Sequence, residues 1–210
     1  MVNNRVKEYS SLQQQLKLIQ GIPYTENWTA GADFLQIIVD DCLETKPSLV
    51  FECSSGLTTL MLARCCQING GGRVVSLENG QEYAEATRSY IEKYGLQEFA
   101  DVVFAPLISK KFDDVEYSWY SIEKVPEDNI DMLVIDGPSG YIGKHARYPA
   151  LPVCYSSLAS QSKVYLDDAA RPDEREIVSL WCARFPGLSH EFIETTRGCS
   201  ILTLDKSNLS

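Results

Sequence analysis

Residues 49 to 59 read LVFECSSGLTT, and the rest of the chain is arranged about them. Leu49, Val50 and Phe51 form a continuous apolar run, as a strand buried on both faces requires. The run ends on Glu52 and breaks into the small-residue turn Cys53-Ser54-Ser55-Gly56, which opens into an apolar helix predicted over 57–68. A strand, turn and helix joined this tightly leave free backbone N–H groups at the helix start, above the carboxyl edge of a sheet. Open α/β sheets bind nucleotides at that edge. A second strand, 73–77, stops on Glu78. An acid about 20 residues past a glycine turn is well placed to accept hydrogen bonds from ribose hydroxyls.

The turn also discriminates between nucleosides. A dinucleotide site asks for three glycines, so that the pyrophosphate meets bare backbone and the helix packs closely on the strand. The corresponding positions here are Ser54, Gly56 and Thr59, and a β-branched Thr59 suits that close packing poorly. S-adenosylmethionine carries no phosphate and needs only one close backbone approach and a ribose acid. The turn favours it over NAD, and an NAD-binding oxidoreductase is the weaker alternative.

Outward from this unit, strands and helices alternate. Residues 5–20 carry Val6, Leu12, Leu16 and Ile19 at helical spacing, and a second helix covers 32–44 with Phe34, Leu35, Ile38, Val39 and Leu43 on one side. A polar helix, 81–94, closes at Gly95, a C-cap glycine. A third strand spans 101–105, residues 109–128 show no clear period, and 130–135 is the strongest strand, stopping at Asp136-Gly137-Pro138. A loop with Gly140 and Gly143 leads to a helix over about 149–158. The strand 164–166 ends on Asp167-Asp168, and Pro172 opens a helix that runs to Phe185. Strands at 192–193 and 199–204, joined at Arg197-Gly198, close the chain as a hairpin. The pattern predicts an α/β fold: a doubly wound, seven-stranded, mostly parallel Rossmann-like sheet with one antiparallel strand near the C-terminus. Residues 1–210 are expected to form a single domain, with 1–45 as an N-terminal helical segment covering the substrate side and offering a homodimer contact.

The formal net charge is -10, with no block of Lys or Arg. Binding that tracks nucleic-acid phosphates loses its electrostatic basis, as does attraction to an anionic membrane. Seven cysteines, without C-x-x-C spacing, read as reduced thiols rather than a disulfide frame or zinc site. With an opening MVNNRVKEYSSLQQQ that lacks an apolar core, they lead to the expectation of a cytoplasmic protein.

Four parallel strands end on acids: Glu52, Glu78, Asp136 and Asp167-Asp168. Topology brings these ends to one edge, where like charges repel unless cations or ligand donors meet them. Asp136, Asp167 and Asp168 are hard oxygen ligands without Cys or His beside them, suited to Mg²⁺, Ca²⁺ or Mn²⁺. The competing reading makes Asp167-Asp168 a cap for the helix at Pro172 and Asp136 a turn residue. Arg147 and Arg171 are candidates for binding an acidic group or neutralising the aspartates. Of two histidines, His145 lies in the loop after the fourth strand and is the candidate general base. Trp119, Tyr120, Tyr141 and Tyr148 are candidate pocket walls.

The segments ECSSGLTT, VVSLE, FAPL, SWY, DMLVIDGPSG, ARYPALP, LDDAARPDE and TRGCSILTL carry a resemblance over residues 28–204. In order and spacing they resemble the class I S-adenosylmethionine-dependent methyltransferases, more narrowly the bacterial methyltransferase family 24 group. The resemblance implies that Glu52, Ser54 and Gly56 line the methionine side, with Thr58 among the cofactor contacts. It places Glu78 on the ribose and Ala105, Pro106 and Leu107 near the adenine, with Asp136 touching cofactor as well as serving catalysis. Ser54 departs from the glycine usual in that group. The acids 136, 167 and 168 are also similar to those of metal-dependent O-methyltransferases, in which a divalent cation touches two substrate oxygens. The expectation is O-methylation of a small hydroxylated acceptor, a sugar or phenol, with S-adenosyl-L-methionine and divalent-metal assistance. Asp136 and His145 are the expected catalytic pair. The alternative is a non-catalytic nucleoside-binding module.

Overall fold

The computed structural model describes residues 8–121 and 129–207. β1 (Leu49–Cys53) is buried at all five positions. It pairs in parallel with β2 (Arg73–Glu78) on one side and β6 (Ile130–Ile135) on the other. With β3 (Ala100–Phe104), β7 (Leu158–Leu166), β8 (Leu188–Ile193) and β9 (Cys199–Asp205), the sheet has seven strands in the order β3-β2-β1-β6-β7-β9-β8. β9 runs antiparallel to both neighbours, so the sheet has the one reversed strand expected. The chain lays β2 and β3 to one side of β1 and then crosses to place β6 on the other. The carboxyl ends of β1 and β6 therefore flank the switch point, where an open sheet has its crevice.

Alternation along the strands divides the core into two layers. Val50, Val74, Met132 and Tyr165 cluster with the helices on one face, α2 (Ala32–Thr45) and α3 (Leu57–Asn69) above all, and also with Ile91 of α4 (Gln81–Lys93). On the other face Phe51, Leu133, Ile135 and Leu166 cluster with Leu151 of α5 (Ala150–Cys154) and with Ile177, Val178 and Trp181 of α6 (Pro172–Arg184). The helix read at 5–20 is shorter in the structure, α1 (Ser10–Gln15); Val6 lies outside the described residues. Leu12, Leu16 and Leu18 join the first core layer, and Arg64 Nε donates to Leu16 O at 2.9 Å. Ile19, expected on the apolar face, is 83% exposed, because Lys17 turns the chain through a positive φ of 56°.

Three local readings need correction. Residues 109–120, which show no period, form most of a hairpin outside the main sheet, β4 (Leu107–Phe112) and β5 (Val115–Tyr120). Asp113 and Asp114 form its turn with φ of 48° and 67°, a left-handed two-residue connection that Asp tolerates. Residues 122–128 of the same stretch lie outside the described residues. The helix expected over 149–158 ends at Cys154, and β7 begins at Leu158. Polar residues 159–163 conceal that strand, yet pairing of Gln161 and Ser162 with Asp205 and Leu204 keeps them extended. β8 begins at Leu188 rather than Phe192; as the edge strand it is mostly exposed and shows little apolar signal.

Candidate active site

The turn after β1 is strained on one residue. Ser54 has a φ of 93°, a region that L side chains rarely adopt, while its N–H donates to Leu77 O at 2.9 Å. Gly56 follows at φ 145°, and a Cβ there would meet nothing within 4 Å, so open space lies directly above the turn. Thr59 explains the missing third glycine. Its hydroxyl accepts from Gly56 N at 3.1 Å and donates to Glu52 Oε2. Ser54→Gly relieves the strain but frees the unfolded chain, so it is expected to stabilise the protein by at most about 1 kcal/mol. Urea unfolding reads this; a loss of stability would show that the serine hydroxyl matters more than the backbone.

Glu52 is fully buried beneath the turn, and Ser76 also donates to its Oε2. Burial pushes its carboxyl up to about 7, against the pull of hydroxyls from Ser76, Thr58 and Thr59. Its other oxygen, Oε1, has no partner among the described residues. Glu78 ends β2 as an anchor for the turn. Oε2 accepts from Ser55 N at 3.1 Å and Ser55 Oγ at 3.0 Å, and Oε1 from Gly80 N at 2.9 Å. A carboxylate offers about four lone-pair sites, so acceptor capacity remains. Ala105 N donates to Glu78 O at 2.7 Å, which sets Ala105, Pro106 and Leu107 beside that strand end.

Across the switch point, Asp136 N donates to Cys53 O at 3.1 Å. Gly137 has no room for a side chain: a Cβ there would lie 2.6 Å from Tyr120 Oη and 2.8 Å from Ser54 Cβ. Trp119, Tyr120 and Tyr148 belong to the second core layer, whereas Tyr141 stands exposed. His145 is drawn to α6: its Nε2 lies 2.7 Å from Glu176 Oε2, and its N–H donates to Asp173 Oδ2 at 3.1 Å. No bond among the described residues joins it to Asp136. His190, on β8, lies 3.0 Å from Ser200 Oγ.

Asp136, Asp167 and Asp168 do converge, each offering one oxygen within 4.8 Å of the others. Arginines meet them there. Arg147, 3% exposed, donates from Nη2 to Asp168 Oδ2 at 2.9 Å and lies 3.6 Å from Asp136 Oδ1. Arg171 Nη1 is 3.0 Å from Asp168 Oδ2, and Arg197 Nη2 is 2.9 Å from Asp167 Oδ2. Two fully buried carboxylate oxygens lack hydrogen bonds among the described residues, Asp167 Oδ1 and Asp168 Oδ1, the second lying 3.4 Å from Arg197 Nε. Burial, then the Asp167 charge, holds Asp136 well above the ordinary carboxylate range, and burial raises Asp167 also.

As arranged, these residues do not fit the divalent cation that their spacing leads one to expect. Each guanidinium about 4 Å from a doubly charged ion opposes it by roughly 8 kcal/mol at an effective dielectric constant near 20, as much as a carboxylate at that distance attracts it. Three arginines therefore cancel the pull of the three acids. Arg147 and Arg171, candidates from the sequence for neutralising the aspartates, do so here. Arg197 is the neutralising arginine that the sequence places least well, since it reads there only as part of a turn. A charge count at the strand ends, three acids needing three positive partners, was the available signal.

A family model described as "Methyltransferase domain" matches residues 53–169. No curated protein matches the chain. Among solved structures, an O-methyltransferase from Bacillus cereus in complex with SAH is 16% identical, with a TM-score of 0.65 over 95% of this chain and 91% of that one. The O-methyltransferase TomG from Streptomyces achromogenes, in complex with SAM, is 11% identical with a TM-score of 0.66 over 96% and 90%. SAH-bound PaMTH1 of Podospora anserina is 12% identical with a TM-score of 0.68 over 94% and 88%. At these identities the likeness establishes the shared fold.

Proposed function

The chain belongs to the methyltransferase-domain family, the class I S-adenosylmethionine-dependent enzymes, and on that premise we propose that it methylates a hydroxyl of a small acceptor in the crevice above β1 and β6. The observation that carries the reading is the pairing of Glu78 with the turn. Through Ser55 and Gly80 the acid is fixed beside the open space above Gly56, where a nucleoside needs bare backbone on one side and an acceptor for its ribose on the other. The orphaned Glu52 Oε1 supports a positively charged amino-acid tail on the methionine side.

When bound, S-adenosylmethionine supplies a methyl group activated on a sulfonium. The protein's part is to hold and orient. In this reading Glu78 accepts from the ribose, and Ala105, Pro106 and Leu107 border the adenine. Asp136, the one acid of its cluster with notable side-chain exposure, at 15%, receives the acceptor's proton on its carboxylate. His145, bonded to Glu176, holds the loop after β6 against α6. Divalent-metal assistance is left out, because the buried guanidinium of Arg147 and those of Arg171 and Arg197 already stand among the acids.

Calorimetry tests the assignment. S-adenosylhomocysteine is expected to bind the wild type, and Glu78→Ala to weaken it by about 1.5–3 kcal/mol for each lost charged hydrogen bond. Equal affinity in the two proteins would remove Glu78 from the site, and tighter binding of NADH would overturn the cofactor. Binding with no turnover on any hydroxylated acceptor would favour a binding module.

A further inference from the structure

Arg147 is used in an unusual way for a residue at a strand-end crevice. Its Nε donates to Pro138 O at 3.2 Å, Nη1 to Asp167 O at 2.9 Å, and Nη2 to both Asp136 O at 2.8 Å and Asp168 Oδ2 at 2.9 Å. Three of these four acceptors are main-chain carbonyls, from the ends of β6 and β7 and the loop between them. A planar fork of N–H groups can satisfy carbonyls spread in this way, whereas a point charge cannot. Arg197 and Arg171 complete the arrangement, so that Asp136, Asp167 and Asp168 face three fixed positive charges.

We propose that Arg147 takes the place of a divalent cation in this crevice, so that methyl transfer here runs without a metal and suits acceptors offering a single hydroxyl. The inference rests on the methyltransferase reading above. A cation that gathers two substrate oxygens must turn an open coordination face to the crevice. Here the charge of Arg147 is buried and bonded within, and the acid with most exposure to the crevice is Asp136. Asp167 is held by Arg197, and Asp168 by Arg147 and Arg171. A lone carboxylate accepts the proton of one hydroxyl and gains nothing from an anionic oxygen beside it. In the transfer the acceptor oxygen forms its bond to the methyl carbon as the carbon–sulfur bond breaks. The sulfur keeps that electron pair, and the hydroxyl proton passes to Asp136 and on to solvent.

Manganese titration decides the matter on the intact protein. With wild type, the electron paramagnetic resonance signal of free Mn²⁺ is expected to persist through the millimolar range, with or without S-adenosylhomocysteine. Affinity for S-adenosylhomocysteine is expected to be the same in EDTA as in Mg²⁺. Arg147→Ser removes the guanidinium and leaves the acids, so it is expected to take up one Mn²⁺, lost again when Asp168→Asn is added. The inference is overturned by wild type binding one Mn²⁺ in a manner that Asp168→Asn abolishes, by loss of affinity in EDTA, or by a folded Arg147→Ser that takes no ion. Should Arg147→Ser fail to fold, the wild-type titration still decides. Failure of S-adenosylhomocysteine to bind under any condition counts against the methyltransferase reading instead, and the manganese result then judges the cation's replacement separately.

Discussion

Arg147→Met is expected to destabilise the protein by about 3–5 kcal/mol, the cost of leaving buried charges without their partner. For a chain of this size that corresponds to a fall of roughly 6–20 °C in Tm. Methionine matches the stem of arginine and keeps the packing, so the loss isolates the guanidinium. Four hydrogen bonds disappear, and Asp168 keeps only Arg171 and the more distant Arg197. The deficit carries a pH signature. Without Arg147, whose charge holds them down, Asp136 and Asp167 rise further above their unfolded values near 4. The folded state then binds more protons than the unfolded one over a wider range, and its stability is lost as pH rises through that range. The deficit against wild type is therefore smallest in acid and grows toward neutrality. Lys144→Met is the control: its partner Glu176 and the lysine are both solvent-exposed, and such pairs are worth about 0–1 kcal/mol. Thermal unfolding in which Arg147→Met loses no more than Lys144→Met would show that the cluster does not hold the switch point together.

The contrast between these two cations also marks where sequence reading stops. Strands β1, β2 and β6 were legible because burial on both faces writes itself as a mostly apolar run, broken only by Ser76 in β2 and Asp131 in β6, and the acids that end them are fixed by chain order. The turn at 53–56 was legible because few residues can make it. Arg197 was not, and Arg147 was legible only as one of two readings, since a guanidinium at the end of a long side chain reaches acids 30 and 21 residues away along the chain, and nothing in local pattern specifies that reach. The hairpin of β4 and β5 was missed for a related reason. Its faces are both partly exposed, so the alternation that betrays a half-buried strand is weak, and only Asp113-Asp114 between two β-rich runs signalled a turn. His145 shows the reverse case: its position in the loop after β6 suggested the crevice, and in the fold its ring bonds Glu176, one turn into α6.

Glu52 should make the cofactor-free protein lose stability as pH rises. Its carboxyl stands at about 7 in the fold against about 4.3 in an unfolded chain. Between those values the folded state holds a proton that the unfolded state has released, so the contribution is full in acid and is lost as pH climbs toward 7. Over that interval the change amounts to about 3 kcal/mol. Asp136, Asp167 and Glu174 are raised as well and act in the same direction, so wild type alone cannot assign the slope. Glu52→Gln can, because it removes one titration and keeps an acceptor for Ser76 and Thr59. Denaturant unfolding from pH 5 to 8 is expected to show a shallower decline in Glu52→Gln than in wild type; parallel curves would place the titration elsewhere. The same proton reports on the site. If the cofactor's ammonium meets the free Oε1 of Glu52, binding favours the carboxylate and expels the proton. Calorimetry near pH 6 in buffers of different ionisation enthalpy is then expected to show proton release with S-adenosylhomocysteine in wild type. Glu52→Gln should show none, and release of equal size in both proteins would move the amino-acid tail away from Glu52.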